Sequence, residues 1–201
     1  KARPLDADQV ERYFAAIEAT QISVACSHAS YLINLASPDR SLNEKSQRAF
    51  RTETERCNLL SIPNLVFHPG SHVGSGADAG MKRIARNMNR VLDQVTDNSV
   101  TLCLEATAGT GDNLGRTFEE LAQIIDLIDD TEHVGVCLDT CHIFAAGYGL
   151  RDEGEYKQTM KEFGSVVGFD KLRIVHVNDS KTEQGSHRDR HEHIGEGCIG
   201  L

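Results

Sequence analysis

Five short, almost uninterrupted apolar runs recur along the chain: ISVAC at 22–26, LVF at 65–67, VTLCLE at 100–105, VGVCLD at 134–139 and RIVHV at 173–177. Helix-length segments separate or flank them, at 7–20, 41–60, 79–95, 115–128 and 153–167. Runs without apolar–polar alternation are the pattern of strands covered on both faces, as in parallel sheets. Parallel neighbours need a crossover connection, so the alternation restricts the chain to either a closed (β/α)₈ barrel or a doubly wound open sheet. In the fourth helical segment Asn113 stands ahead of GRTFEELAQIIDLID and is expected to open a helix whose Phe118, Leu121, Ile124, Ile125 and Leu127 share one face. The segment from Ser41 opens with Asn43 and Glu44 and carries charges of both signs, which reads as a solvated outer helix.

A polar residue stands at or just after each run: His28, His68, Glu105, Asp139 and His176, at intervals of 40, 37, 34 and 37 residues. One histidine at a strand end is ordinarily a satisfied structural residue. Five potential metal ligands in phase with the strand repeat are hard to attribute to core packing, because barrel strands direct their carboxyl ends to one mouth. At about 37 residues per unit, eight units need roughly 300 residues. The 201 residues are therefore expected to form a single domain over 1–201, a TIM (β/α)₈ barrel fragment with about five of the eight units.

Imidazole and carboxylate together are the ligand set of Zn²⁺ and related first-row ions, whereas Mg²⁺ and Ca²⁺ prefer oxygen alone. Three further candidates join the five: His142, three residues after Asp139, and Asp189 and His191 from the polar loop after Asp179. Eight ligands exceed one tetrahedral site, so a cluster of two or three ions is expected. Glu105 is suited to bridge two ions, and such a pair holds hydroxide at neutral pH, a nucleophile for phosphodiester attack. The formal charge of −9 argues at first against a nucleic-acid ligand, but bound divalent ions reverse the sign locally.

FHPGSH at 67–72, LCLEATAGTGDNLG at 102–115, VGVCLDTCHIFAAGYGLR at 134–151, HVNDSK at 176–181 and DRHEHIGEGCIG at 189–200 resemble the signature segments of the endonuclease IV family of apurinic/apyrimidinic endonucleases. The resemblance runs over nearly the whole chain. It implies a TIM barrel whose trinuclear zinc centre hydrolyses the phosphodiester 5′ to an abasic site in double-stranded DNA, leaving a 3′-hydroxyl, with Mn²⁺ as a substitute metal. By motif, His28 and His68 would bind the first ion and Glu105 would bridge it to the second; Asp139 and His176 would complete most of the second site; His142, Asp189 and His191 would hold the third. Glu105 and Asp139 are the expected catalytic pair. SYLINL at 30–35 resembles the family loop that enters the DNA, with Tyr31 and Leu32 as its wedge. The family's second ion also takes a Glu from the last barrel strand, for which no counterpart is seen before Leu201, and its first two strands have no counterpart before His28.

Two other readings compete. A sugar isomerase or epimerase on the same barrel also holds metal at strand ends, but needs one or two ions, and the His142, Asp189 and His191 triad separates it from the nuclease. An inactive fragment that binds metal or DNA is the other. The six cysteines, at 26, 57, 103, 137, 141 and 198, form no CxxC pair and read as buried reduced thiols, Cys137-x₃-Cys141 included. His72, His187 and His193 are left as rim or solvated residues and His133 as structural. No run approaches the roughly 18–20 apolar residues of a membrane span, and KARPLDADQVERYF does not resemble a signal peptide. A monomer inside the cell is expected, in bacterial cytoplasm or, in a eukaryote, in nucleus or mitochondrion.

Overall fold

The computed structural model describes residues 4–95 and 99–200; Lys1–Arg3 of the opening stretch and Leu201 lie outside the described residues. The elements run α1 (Ala7–Thr20), β1 (Ser27–His28), α2 (Arg40–Leu59), β2 (Asn64–Phe67), α3 (Ala77–Gln94), β3 (Thr101–Glu105), α4 (Phe118–Asp126), β4 (Val134–Asp139), α5 (Thr140–Ala146), α6 (Glu153–Val166) and β5 (Leu172–His176), followed by the short strands β6 (Asp179–Ser180) and β7 (His191–Glu192). The first five strands form one sheet in the order β1-β2-β3-β4-β5, every pair parallel. A doubly wound sheet reverses its strand order at a switch point, and a barrel wall does not. The unbroken order therefore selects the barrel alternative.

Both faces of the middle strands are covered, as their continuous apolar sequence requires. Leu65, Phe67, Leu102, Leu104, Val134, Val136 and Leu138 join the main core, which includes Phe50 of α2, Ile84 and Met88 of α3, and Leu121 and Ile124 of α4. The opposite face buries a small separate cluster of Val66, Cys103 and Cys137, flanked by Cys26 and Ile174. The helices wrap in sequence, α2 on α3, α3 on α4 and α4 on α6. No helix among the described residues is long and apolar enough to cross a membrane.

Four local readings differ from expectation. The run at 22–26 is not a strand: pairing begins only at Ser27, and Ile22 is 64% exposed. As an outermost strand β1 has one neighbour, so the ladder beside it is short. Strand β5, at the other margin, leaves Val175 about half exposed, and Val177 just beyond its end more so, rather than covered. Helix α4 is capped by Thr117, whose side chain accepts from Glu120 N, and not opened at Asn113. Asn113 instead lies in a loop bridged to Ser71. Asn43 is buried inside α2, donating to the Leu35 and Ser37 carbonyls, while Asp39 caps the helix. The polar composition of α2 thus conceals an inward face made by Asn43, Ser46, Phe50, Thr54 and Cys57.

Candidate metal centre

Parallel register sets the geometry. Phe67 pairs with Leu104, so His68 and Glu105, each one residue further, emerge beside one another. Asp139 pairs with His176 at the ends of β4 and β5. The Glu105 carboxylate, 1% exposed, lies at the middle: Oε2 is 2.7 Å from His28 Nε2 and 3.0 Å from His68 Nε2, and Oε1 is 2.8 Å from His176 Nδ1 and 3.7 Å from His142 Nδ1.

A second group meets the first through α5. Asp139 Oδ1 accepts from the His142 backbone N–H at 3.0 Å, starting the helix so that His142 is carried to the floor of the cleft. The His142 Nδ1 sits 3.0 Å from the Ala106 carbonyl, which directs Nε2 toward Asp189 Oδ2 at 3.2 Å. His191 Nε2 lies 3.2 Å from Asp189 Oδ1 and 3.3 Å from His142 Nε2. Asn178 donates to Asp139 Oδ2 at 2.6 Å. Asp189 and His191 come from the loop and antiparallel ribbon β6–β7, in which Ser180 faces His191.

All eight sequence-selected ligands thus line one open cleft of about 380 Å³, together with Tyr31 and Asn178. Tyr31 and Leu32 stand on its rim loop, 81% and 75% exposed. Short side chains of opposite potential charge, crowded at this density, perturb each other. Burial pushes the Glu105 carboxyl up, but hydrogen bonds from His176, His28 and His68 outweigh it and hold it well below the usual range. Burial lowers His142, yet its hydrogen bond to Asp189 and the charges of Asp139 and Glu105 raise it to about 9. The hydrogen bond to Glu105 raises both His28 and His176 against the opposing effect of burial.

The donors fit metal ions. His28, His68 and Glu105 offer three ligand atoms within 4.8 Å of one another, as do His142, Asp189 and His191, and Glu105, Asp139 and His142. Two imidazole nitrogens facing each other at 3.3 Å, as in His142 and His191, need a proton or a cation to relieve their lone-pair repulsion. Imidazole with carboxylate is a zinc-type set, and the Ala106 carbonyl behind His142 and the Ala29 carbonyl 2.7 Å from His28 Nδ1 are the outer contacts that fix which nitrogen faces inward. Cys137 and Cys141 approach the carboxylates closely enough to join such groups. Burial, however, pushes both thiols up, and a protonated thiol is a poor ligand. All six cysteines are free, with Cys26 and Cys198 only partly buried.

The outer histidines take no ligand position. His133 pairs with Asp130 at 2.8 Å and His187 Nδ1 contacts the Ala108 carbonyl at 3.0 Å. His72 is 3.8 Å from Asp112 through Nε2, with Nδ1 buried and unpartnered, and His193 is exposed. Sequence reasoning missed α5, Asn178 and the two carbonyls. The Asp139-Thr140-Cys141-His142 spacing was the available signal for α5, since an Asp three residues before a backbone amide is an N-cap pattern.

A family model described as xylose isomerase-like TIM barrel matches residues 1–201. "Probable endonuclease 4" of Chloroflexus aggregans is 46% identical over 199 residues, covering 99% of this chain and 70% of that relative. The crystal structure of endonuclease IV from Thermus thermophilus superposes with a TM-score of 0.84 at 36% identity, covering 100% of this chain and 70% of that one. A D-tagatose 3-epimerase-like protein, at 19% identity and a TM-score of 0.77 over 96% of this chain and 68% of its own, shares the fold.

Proposed function

The chain belongs to the endonuclease IV family of xylose isomerase-like TIM barrels, and from that membership we propose that it acts in DNA repair as a zinc-dependent endonuclease. It hydrolyses the phosphodiester 5′ to an abasic site and leaves a 3′-hydroxyl. The observation that carries this reading is the continuous line of ligand atoms from His28 through Glu105 to His191 in one cleft. His28, His68 and Glu105 would hold a first zinc; Glu105, with Asp139 and His176, would hold a second; His142, Asp189 and His191 would hold a third. Bound there, divalent ions polarise phosphate oxygens, offset charge on the attacking and leaving oxygens, and lower the pKa of water.

The protein's own groups supply placement. Glu105 is the residue shared between groups, and its three histidine contacts fix both oxygens. Asn178 holds Asp139 at the angle that serves both His142 and the cleft. Tyr31 and Leu32, exposed beside His28, are the apolar wedge that fills the gap left by a missing base. The His142, Asp189 and His191 group favours this reading over a sugar isomerase, which needs fewer ions.

The test uses the 201-residue chain, and separately a longer protein that carries it, with zinc and a duplex bearing one synthetic abasic site. One incision on the 5′ side, giving an end that a polymerase extends, is expected. An intact strand with the longer protein overturns the reading, and cutting by that protein alone supports the inactive-fragment alternative for the shorter chain. Glu105→Gln is expected to weaken metal binding by removing the charge shared between two ligand groups, and to abolish incision.

A further inference from the structure

One fully buried carboxylate takes no part in the reaction proposed above. Asp179, 2% exposed, accepts five backbone N–H groups: Ser180 at 2.7 Å and Ile199 at 2.8 Å on Oδ1, and Gly195 at 3.0 Å, Gly197 at 3.0 Å and Gly200 at 3.2 Å on Oδ2. The chain leaving β7 therefore turns back and closes around the residue that opens β6. Cys198 N adds a bond to the Ser180 carbonyl at 2.7 Å. The fit admits no side chain at Gly197, where a Cβ would come within 2.5 Å of Asp179 Oδ1.

The mechanical consequence follows from the length of the ribbon. Strands β6 and β7 have two residues each, and two-residue pairing is too little to fix a loop end. His191 belongs to β7 and faces Ser180, Asp189 precedes it by two residues, and Lys181 N donates to the Arg190 carbonyl at 2.8 Å between them. Whatever holds β7 against β6 also sets how Asp189 and His191 face His142. The clasp around Asp179 does this with charge-assisted bonds to one carboxylate, each stronger than a neutral pair.

We propose that Asp179 is a positioning residue whose carboxylate folds residues 193–200 into a backbone clasp and so fixes Asp189 and His191 opposite His142. The effect on metal rests on the reading of those three as ligands of one ion; the effect on the clasp does not. A ligand pair held by neighbours outside the metal's own shell typically loses about 10- to 100-fold in affinity when that support is removed.

Two measurements on the isotope-labelled chain test it. Amide hydrogen exchange without metal reads the clasp. A zinc titration followed by the imidazole signals of His142 and His191, against those of His28 and His68, reads the ligands. Asp179→Asn replaces one acceptor oxygen by an N–H donor group facing backbone donors. It is expected to remove protection at Gly195, Gly197, Ile199 and Gly200, and to weaken zinc at His142 and His191 about 10- to 100-fold, with His28 and His68 unchanged. Gly197→Ala, whose Cβ would meet the same carboxylate and the Ser180 carbonyl beside it, is expected to reproduce both effects. Unchanged exchange in both variants overturns the proposal, as do equal losses at the two histidine pairs, the signature of general unfolding. A wild-type chain whose His142 and His191 signals never respond to zinc overturns the metal reading instead, and exchange alone then decides the clasp.

Discussion

Under the proposed function, protons and metal ions would compete for the same nitrogens in this cleft. In the metal-free protein His28, His142 and His176 are all raised, His142 to about 9, because Glu105, Asp139 and Asp189 favour the charged imidazole. A raised folded-state pKa contributes stability that is fully present below the ordinary histidine value near 6.5 and is lost as pH rises through the folded value. The metal-free chain should therefore melt at a lower temperature at about pH 9 than at about pH 6.5 on account of these residues. Zinc needs neutral imidazole, so its binding at about pH 7 should expel protons, and its affinity should fall as the solution is acidified. Calorimetric titration in buffers of different ionisation enthalpy measures the release; a binding heat independent of buffer would contradict the electrostatics described here.

At the scale of elements, the Asn34 side chain ties the loop between β1 and α2 to the loop that follows β2. Asn34 Oδ1 accepts from Ala36 N and Ser71 N, each at 3.0 Å, and Nδ2 donates to the Ser71 carbonyl at 3.0 Å. Arg83 of α3 adds a bond to the Ala36 carbonyl at 2.7 Å and one to Ser75. Gly70 has φ +113°, and a Cβ there would fall on Asn34 Oδ1, so the approach requires glycine. Asn34→Ala strands two backbone donors and an acceptor, and is expected to cost about 1–3 kcal/mol in denaturant unfolding. It should also loosen the Tyr31–Leu32 rim, so binding to abasic duplex should weaken while zinc content stays at the wild-type level. Loss of zinc as well would mean that the loop and the ligands are not separable.

For the molecule as a whole, a formal charge of −9 opposes a polyanion, so under the proposed function cations in the cleft would be the condition for DNA binding rather than an aid to the chemistry alone. Chelation is expected to remove both incision and affinity for abasic DNA. It should also lower the melting temperature, because ions that bind only the folded state add about 2.7 kcal/mol of stability at a hundredfold excess over Kd. A chelated protein that binds duplex DNA as well as the zinc-loaded one would show that side chains elsewhere supply the attraction.

The strand and helix rhythm was legible in the linear sequence, and with it the in-phase candidate ligands His28, His68, Glu105, Asp139 and His176, since apolar runs and polar strand ends are written residue by residue. The ends of the sheet were less legible. The run at 22–26 looks like a strand in isolation, but pairing depends on a neighbour that a propensity cannot see. Asp189 and His191 stood out as candidate ligands in the polar loop after Asp179, yet their meeting with His142 is long-range and depends on a two-residue ribbon, a short helix started by Asp139, and a clasp around Asp179. Only the tertiary structure decided the ribbon and the clasp: the ribbon pairs backbone with backbone and the clasp joins the Asp179 side chain to amides 16 to 21 residues away, and backbone amides carry no signature in the sequence; the Asp139–His142 cap is local, and its spacing was readable.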